Sequence, residues 1–342
     1  MRILLLECES PASLQFLNFY KNEKDVKVVC GSSSRLPIIL FSKFRRKVYR
    51  YPDTMYPLFL FKERIKKFND RIFHLVRREK IDFIISQSEK TLIPLLLRPS
   101  LRNYLPYPTL KTIDILHDKK KLLDYLEEFS PKSFKLPTVY KSVKDVKYPS
   151  LIKPRKGAGG FLVKKVNNKE ELLRVVKAFN KKKKKFILQE LIPSKLKFTM
   201  NILIDKDGKI KRLLSFRKIK PSRLEAIKRE IENFLREIGY FGFSSPQFLF
   251  YKNQFYLIEI NPRLSYYYYG IDFGLNFPEA FHRSIIENEN IEEKFKILTS
   301  LYPLTIASRI YIKESRDFTS VFMNYVFTTF YSLTKSLHNK YS

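Results

Sequence analysis

The stretch Phe255-Tyr256-Leu257-Ile258-Glu259-Ile260-Asn261-Pro262-Arg263 decides how this chain is read. Its apolar, aromatic first half predicts a buried β-strand. A carboxylate, an amide and a guanidinium then follow at every second position. Residues two apart on a strand share a face, so Glu259, Asn261 and Arg263 can converge. Glu259 and Asn261 offer hard oxygen atoms of the kind that hold Mg²⁺ beside nucleotide phosphates. Arg263 offers a planar fork of donors for a phosphoryl or carboxyl oxygen. The same residues would equally suit a polar strand end closed by a salt bridge. The surrounding chain has to decide between the two.

Upstream, residues 247–251 read as the partner strand. Ser222 with Glu225 predicts a capping box for a helix that runs to Ile238 and stops at Gly239. Residues 200–204 and 209–214 predict a hairpin around Asp205-Lys206-Asp207-Gly208. Residues 186–192 form a strand that contains Gln189 and Glu190, and a short strand at 148–153 ends in Lys153. Arg155-Lys156-Gly157-Ala158-Gly159-Gly160 follows. Without side chains, such glycines let backbone N–H groups approach phosphate oxygens; a plain hairpin turn fits the same residues. No Gly-Lys-Ser/Thr ends the run, which excludes a P-loop. Asn168 and Glu171 predict the start of a helix that reaches Phe179. Residues 114–129 read as one charged helix that contains Asp118-Lys119.

In residues 1–108, strands at 2–7, 26–30 and 81–86 alternate with helical patterns at 13–20 and 59–79. The second helix carries Phe61, Ile65, Phe68, Ile72, Leu75 and Val76 on one face. Such alternation predicts a parallel α/β sheet. The missing Gly-x-Gly-x-x-Gly excludes a dinucleotide fingerprint. The length of 342 residues suggests two or three packed units, and 44% hydrophobic residues supply their cores. Cys8 and Cys30 have no metal or redox spacing, so a reducing compartment is expected. No signal peptide and no long apolar run stand in the sequence, so the expected location is cytoplasmic. The net charge of +32 would suit nucleic acid, an anionic surface or a polyanionic substrate. Basic residues are spread through every segment and no nucleic-acid-binding module is recognisable, so no specific nucleic acid is expected.

The order of these parts resembles the ATP-grasp superfamily, in particular carboxylate–amine ligases with domains similar to those of the carbamoyl-phosphate synthase large chain. The resemblance rests on Asp118-Lys119, then Lys153 to Gly160, then Gln189-Glu190-Leu191-Ile192, then Gln247, then Glu259 to Arg263. It implies α/β and α+β architecture. A Rossmann-like pre-ATP-grasp domain would span 1–108 and a two-subdomain ATP-grasp fold 109–290, with the glycine-rich-loop subdomain at about 148–191. A C-terminal extension would span 291–342. It implies that Lys119 and Lys153 hold ATP phosphates under the loop Gly157, Ala158, Gly159 and Gly160. Gln189, Glu190, Leu191 and Ile192 would meet the adenine. Gln247, Glu259 and Asn261 would hold Mg²⁺, with Mn²⁺ as the alternative, and Arg263 with Lys153 would serve catalysis. The implied reaction joins a small-molecule or peptide carboxylate to an amine through an acyl phosphate. A basic ATP-binding interaction protein without turnover is the second reading. Lys195-Leu196-Lys197-Phe198 stands where an acid for the ribose is usual in that family.

Two further expectations follow. If Gln247 and Glu259 share one site, they must share one face. A two-residue turn at Lys252-Asn253 would pair Gln247 with Ile258 and turn Glu259 away. A three-residue connection, Lys252-Asn253-Gln254, or an equivalent bulge is therefore expected. In the tail, Phe318, Val321, Phe322, Tyr325, Val326, Phe330 and Leu333 predict an amphipathic helix that packs on its own core, with membrane-surface contact as the alternative.

Overall fold

A computed structural model of the chain describes residues 1–41, 47–54, 61–157, 160, 162–181, 184–216, 219–263 and 274–298. Strands β1 (Arg2–Leu5), β2 (Lys27–Ser32), β3 (Val48–Arg50) and β4 (Phe83–Ile85) form a parallel sheet in the order β3-β2-β1-β4. Helices α1 (Pro11–Tyr20), α2 (Lys62–Glu79) and α3 (Glu89–Leu96) accompany it. A sheet covered on both faces needs continuous apolar strands, and Ile3, Leu4 and Leu5 are all fully buried. The chain moves outward from β1 to β3 and returns to β4 on the other side. The loops after β1 and β4 therefore meet at the point where the strand order reverses. Phe61 does not join the buried face of α2 as expected. It precedes the first turn, stays 44% exposed and lies under the Arg64 guanidinium.

The helix expected over 114–129 is two helices, α4 (Leu110–His117) and α5 (Lys119–Phe129). Asp118 breaks it with an extended backbone and caps α5 by accepting the N–H of Lys120. Next comes a small antiparallel sheet of β5 (Val139–Tyr140), β6 (Ser150–Pro154), β7 (Lys164–Val166) and β8 (Phe186–Glu190), ordered β5-β8-β6-β7. Helix α6 (Lys169–Lys181) covers it. Asn168 accepts the Glu171 N–H as expected, and the Glu171 carboxylate reaches back to the N–H of Asn167. Val146, Ile152, Val166, Leu172, Phe179 and Leu188 form a core of their own here.

The large sheet contains β9 (Lys197–Ile204), β10 (Ile210–Phe216), β11 (Gly242–Tyr251), β12 (Gln254–Asn261) and β13 (Lys294–Leu298). Its order is β12-β11-β9-β10-β13, antiparallel except for the β10–β13 pair. Helix α7 (Pro221–Glu237) starts at a proline, which presets the first helical φ. Lys220 is therefore the N-cap and the Ser222–Glu225 capping box does not form. Gly239, at φ +66°, ends the helix as expected. Phe281 of α8 (Phe277–Phe281) stacks on Phe243 of β11, and Phe16 of α1 meets both rings edge-on. The parallel sheet and the large sheet therefore share one hydrophobic core. The tail helix expected around Phe318–Leu333 lies outside the described residues, and none of the described helices is long and apolar enough to cross a membrane.

Candidate active site

The β11–β12 hairpin turns through two residues, Lys252 and Asn253, at φ +45° and +60°. Positive φ at both positions is the type I′ pattern, whose twist matches that of the flanking strands. The three-residue connection is thus replaced by the tight turn, and the equivalent bulge appears instead. Phe248 pairs with Leu257, Gln247 pairs with Glu259, and the extra residue Ile258 has no partner between them. One inserted residue restores the face that a two-residue turn would have lost. Gln247 also pairs with Thr199 on β9, so Thr199, Gln247 and Glu259 form a row across three strands. Ser245 and Asn261 lie in the adjacent row, where the Asn201 amide accepts the Ser245 hydroxyl at 2.8 Å.

Glu259 is surrounded by cations. Lys119 Nζ lies 3.9 Å from its carboxylate, and the Asn261 amide donates to the other oxygen at 3.2 Å. Burial pushes this carboxyl up, but Lys119, Asn261, Lys197 and Lys153 overcome it and hold it below the usual range. Lys153, on β6, donates to Gln189 Oε1 on β8. Burial pulls the Lys153 ammonium down to about 8; Glu259 opposes that shift, while Lys119 and Lys197 add to it. In the sequence, Lys197 stands out only as a departure at the ribose position. Its place at the start of β9, in the field of Glu259, emerges only when β9 pairs with β11.

The buried Oε1 of Gln247 and Nε2 of Gln189 have no hydrogen-bond partner. An orphan buried polar atom costs about 1–3 kcal/mol unless something satisfies it. The acceptor of Gln247 beside the oxygens of Glu259 and Asn261 suits a hard cation such as Mg²⁺. Carboxylates and imidazoles alone do not make this site: among the described residues no group of three His, Cys, Asp or Glu is close enough to hold a metal.

Other expected residues lie as follows. Glu190 ends β8, and its carboxylate accepts the N–H of Thr138 at 3.1 Å, so it closes the connection to β5. Leu191 and Ile192 follow it, with Ile192 buried. Gly157 and Gly160 flank the loop after β6, and Gly160 takes φ +72°. Ala158 and Gly159 lie outside the described residues. Arg263 does not stand alone at the end of β12. Its Nε pairs at 2.7 Å with Glu89, the first residue of α3, whose side chain is 3% exposed. Glu89 was not singled out in the sequence, because nothing local marks a helix-start glutamate as the partner of a distant arginine.

Residues 116–265 match the family model described as ATP-grasp domain. The chain therefore contains an ATP-grasp domain, as its motif order suggested. No curated protein matches it. Among solved structures, it is similar to the biotin carboxylase domain of Hydrogenobacter thermophilus 2-oxoglutarate carboxylase in complex with MgADP and bicarbonate. The TM-score is 0.66 at 16% identity, over 85% of this chain and 71% of that one. It is similar to L-amino acid ligase from Bacillus licheniformis, with TM-score 0.62, 16% identity and coverage of 85% and 75%. It is also similar to N5-carboxyaminoimidazole ribonucleotide synthetase from Thermotoga maritima, with TM-score 0.61, 14% identity and coverage of 85% and 77%. At these identities the likeness establishes the fold.

Proposed function

We propose that this protein is an ATP-dependent ligase that joins a carboxylate to an amine or similar nucleophile, with residues 1–108 as its pre-ATP-grasp domain and 109–290 as the ATP-grasp fold. The observation that carries the reading is Glu259, set opposite Gln247 by the bulge and ringed by Lys119, Lys153 and Lys197. A carboxylate among lysines, beside an orphan amide oxygen, is the composition expected where a polyphosphate and its counter-cation sit together.

Lys119 and Lys153 would bind phosphate oxygens, and the Gly157–Gly160 loop would close over them. Gln189 to Ile192 would meet the adenine, with the orphan Nε2 of Gln189 as a donor. Gln247, Glu259 and Asn261 would hold Mg²⁺, which neutralises phosphate charge when bound. The substrate carboxylate oxygen attacks the γ-phosphorus and the bond to the β–γ bridging oxygen breaks, releasing ADP. The amine nitrogen then attacks the acyl carbon, the carbon–oxygen bond to phosphate breaks, and the nitrogen loses a proton. Positioning and charge neutralisation carry such steps, and Arg263, steadied by Glu89, faces the charge on the transferring group. The test is a screen of carboxylate and amine pairs for ADP release. Pair-dependent ADP is the expected result. Tight nucleotide binding with no ADP from any pair would favour the interaction-protein reading.

A further inference from the structure

We infer that Asp118 and Arg155 are positioning residues that clasp the segments bearing Lys119 and Lys153, and so hold both lysines over one binding site. This rests on the nucleotide reading above. Lys119 opens α5, and Lys153 lies near the end of β6 in a different sheet with its own core. Like charges at one site repel, and Lys119 is among the groups that disfavour the charged form of Lys153. Glu259 attracts both lysines, and the clasp adds a tie that does not depend on a bound phosphate.

The tie is built from both side chain and backbone. Arg155 Nε donates to both oxygens of Asp118, at 2.8 and 3.1 Å, and Nη2 lies 2.8 Å from Oδ2. This two-pronged arrangement is the one a guanidinium makes best. The Asp118 side chain is only 6% exposed, so the pair is little screened. The Lys119 N–H donates to the Arg155 carbonyl at 2.9 Å, and the Arg155 N–H to the Lys185 carbonyl at 3.0 Å. Asp118 meanwhile caps α5, which fixes the direction in which Lys119 leaves the helix. Next to the clasp, Asp114 pairs with both Lys121 and Lys156, a more exposed repeat of the same contact. Neither Asp118 nor Arg155 needs to touch the nucleotide; each acts through a lysine.

The test measures Mg-ADP affinity by calorimetry for the wild type, Arg155→Gln, Asp118→Asn, Lys119→Met and the Arg155→Gln/Lys119→Met pair, with a melting curve for each. Asn caps a helix as well as Asp does, so Asp118→Asn removes the ion pair and keeps the cap. Arg155→Gln and Asp118→Asn should each weaken binding on the order of 10-fold; Asp118→Asn should melt near the wild type, whereas Arg155→Gln leaves a buried carboxylate without its cation and should melt lower. In the Lys119→Met background, Arg155→Gln should cost clearly less than it does alone, because the part of its effect that runs through Lys119 is already gone and only the Lys153 part remains. A merely structural contact would lower the melting temperature of Asp118→Asn as well and would add in full. Wild-type affinity in both single variants, or a fully additive double variant, overturns the clasp. A wild type that binds no Mg-ADP overturns the nucleotide reading itself, and the clasp with it.

Discussion

Two glutamates of this protein, each on or just after a core strand, have opposite protonation behaviour. Glu7, just after β1, is 6% exposed and accepts hydrogen bonds from the Gln87 N–H and the Ser88 hydroxyl. Burial nonetheless pushes it up to about 7, and Glu9 adds to that. Glu259, on β12, also pays for burial but is held below the usual range by Lys119, Asn261, Lys197 and Lys153. At the end of the parallel strands two neutral donors and the single lysine Lys90 do not outweigh desolvation, whereas three lysines around the bulged hairpin, with the Asn261 amide, do. The first arrangement stores a proton near neutral pH. The second keeps a fixed negative charge among positive ones, which is what a phosphate and cation site needs.

The strongest way to break the contrast is to neutralise each acid in turn. Glu259→Gln keeps the shape of the side chain and removes its charge. It should lower ADP release, with an identified substrate pair, on the order of 10²–10³-fold with the fold intact by melting curve. Near-normal turnover would mean that the hairpin is not the metal site. Arg263→Lys keeps the charge but loses the planar fork and the geometry of the Glu89 pair. It should reduce turnover on the order of 10²-fold and affect nucleotide affinity much less. Lost affinity with turnover unchanged would assign Arg263 to ground-state binding.

Glu7→Gln should leave turnover alone and act on stability. Between about pH 4.5 and 7 the folded protein keeps a proton on Glu7 that the unfolded chain has lost. Stability therefore falls as pH rises through that window and levels above it, by roughly 3 kcal/mol in total. His117 runs the other way: burial pulls it down to about 4, so it contributes stability that grows as pH rises from about 4 to 6.5. In the wild type the two largely cancel. Gln at position 7 can still accept the Gln87 N–H and donate to the Ser88 hydroxyl, which can rotate to accept. Urea unfolding at pH 5 and 7.5 should show the variant gaining on the wild type as pH rises. A constant difference between the two proteins would mean that Glu7 titrates normally.

How much of this contrast was visible in the sequence depends on how local its cause is. The convergence of Glu259 with Gln247 was legible, because strand parity leaves few registers in which both can share a face. The device that achieves it was legible only as a choice between a three-residue connection and an equivalent bulge; that Lys252-Asn253 takes the tight turn and Ile258 the bulge was not. The break at Asp118 was hidden by an apolar pattern that continues through Leu116, Leu122, Leu123 and Leu126. Its partner Arg155 lies in another sheet, where no periodicity can reveal it. The start of α7 was legible and misjudged, since Lys220-Pro221 outweighs the Ser222–Glu225 spacing. Glu89, Lys197 and the burial of Glu7 depend on packing between elements far apart in the chain.

The smallest effect expected ties the contrast to Lys153. Its ammonium is pulled down to about 8 by burial, with Glu259 as the acid that opposes the shift. A bound phosphate supplies negative charge and so favours the protonated lysine. Affinity for metal-free ADP should be level near pH 7 and fall as pH rises through about 8, on the order of 10-fold by pH 9.5. Proton uptake on binding should appear over the same range. Glu259→Gln removes the acid that keeps the proton on Lys153, so its decline should begin at lower pH. Glu7→Gln, in another part of the core, should leave the profile where it is. Calorimetry in two buffers of different ionisation enthalpy reads affinity and proton uptake together. A Glu259→Gln profile that coincides with the wild type's would mean that Lys153 holds its proton without help from Glu259. Glu259 would then be tuned by the lysines without tuning them in return, and the charge balance at the hairpin would run in one direction only.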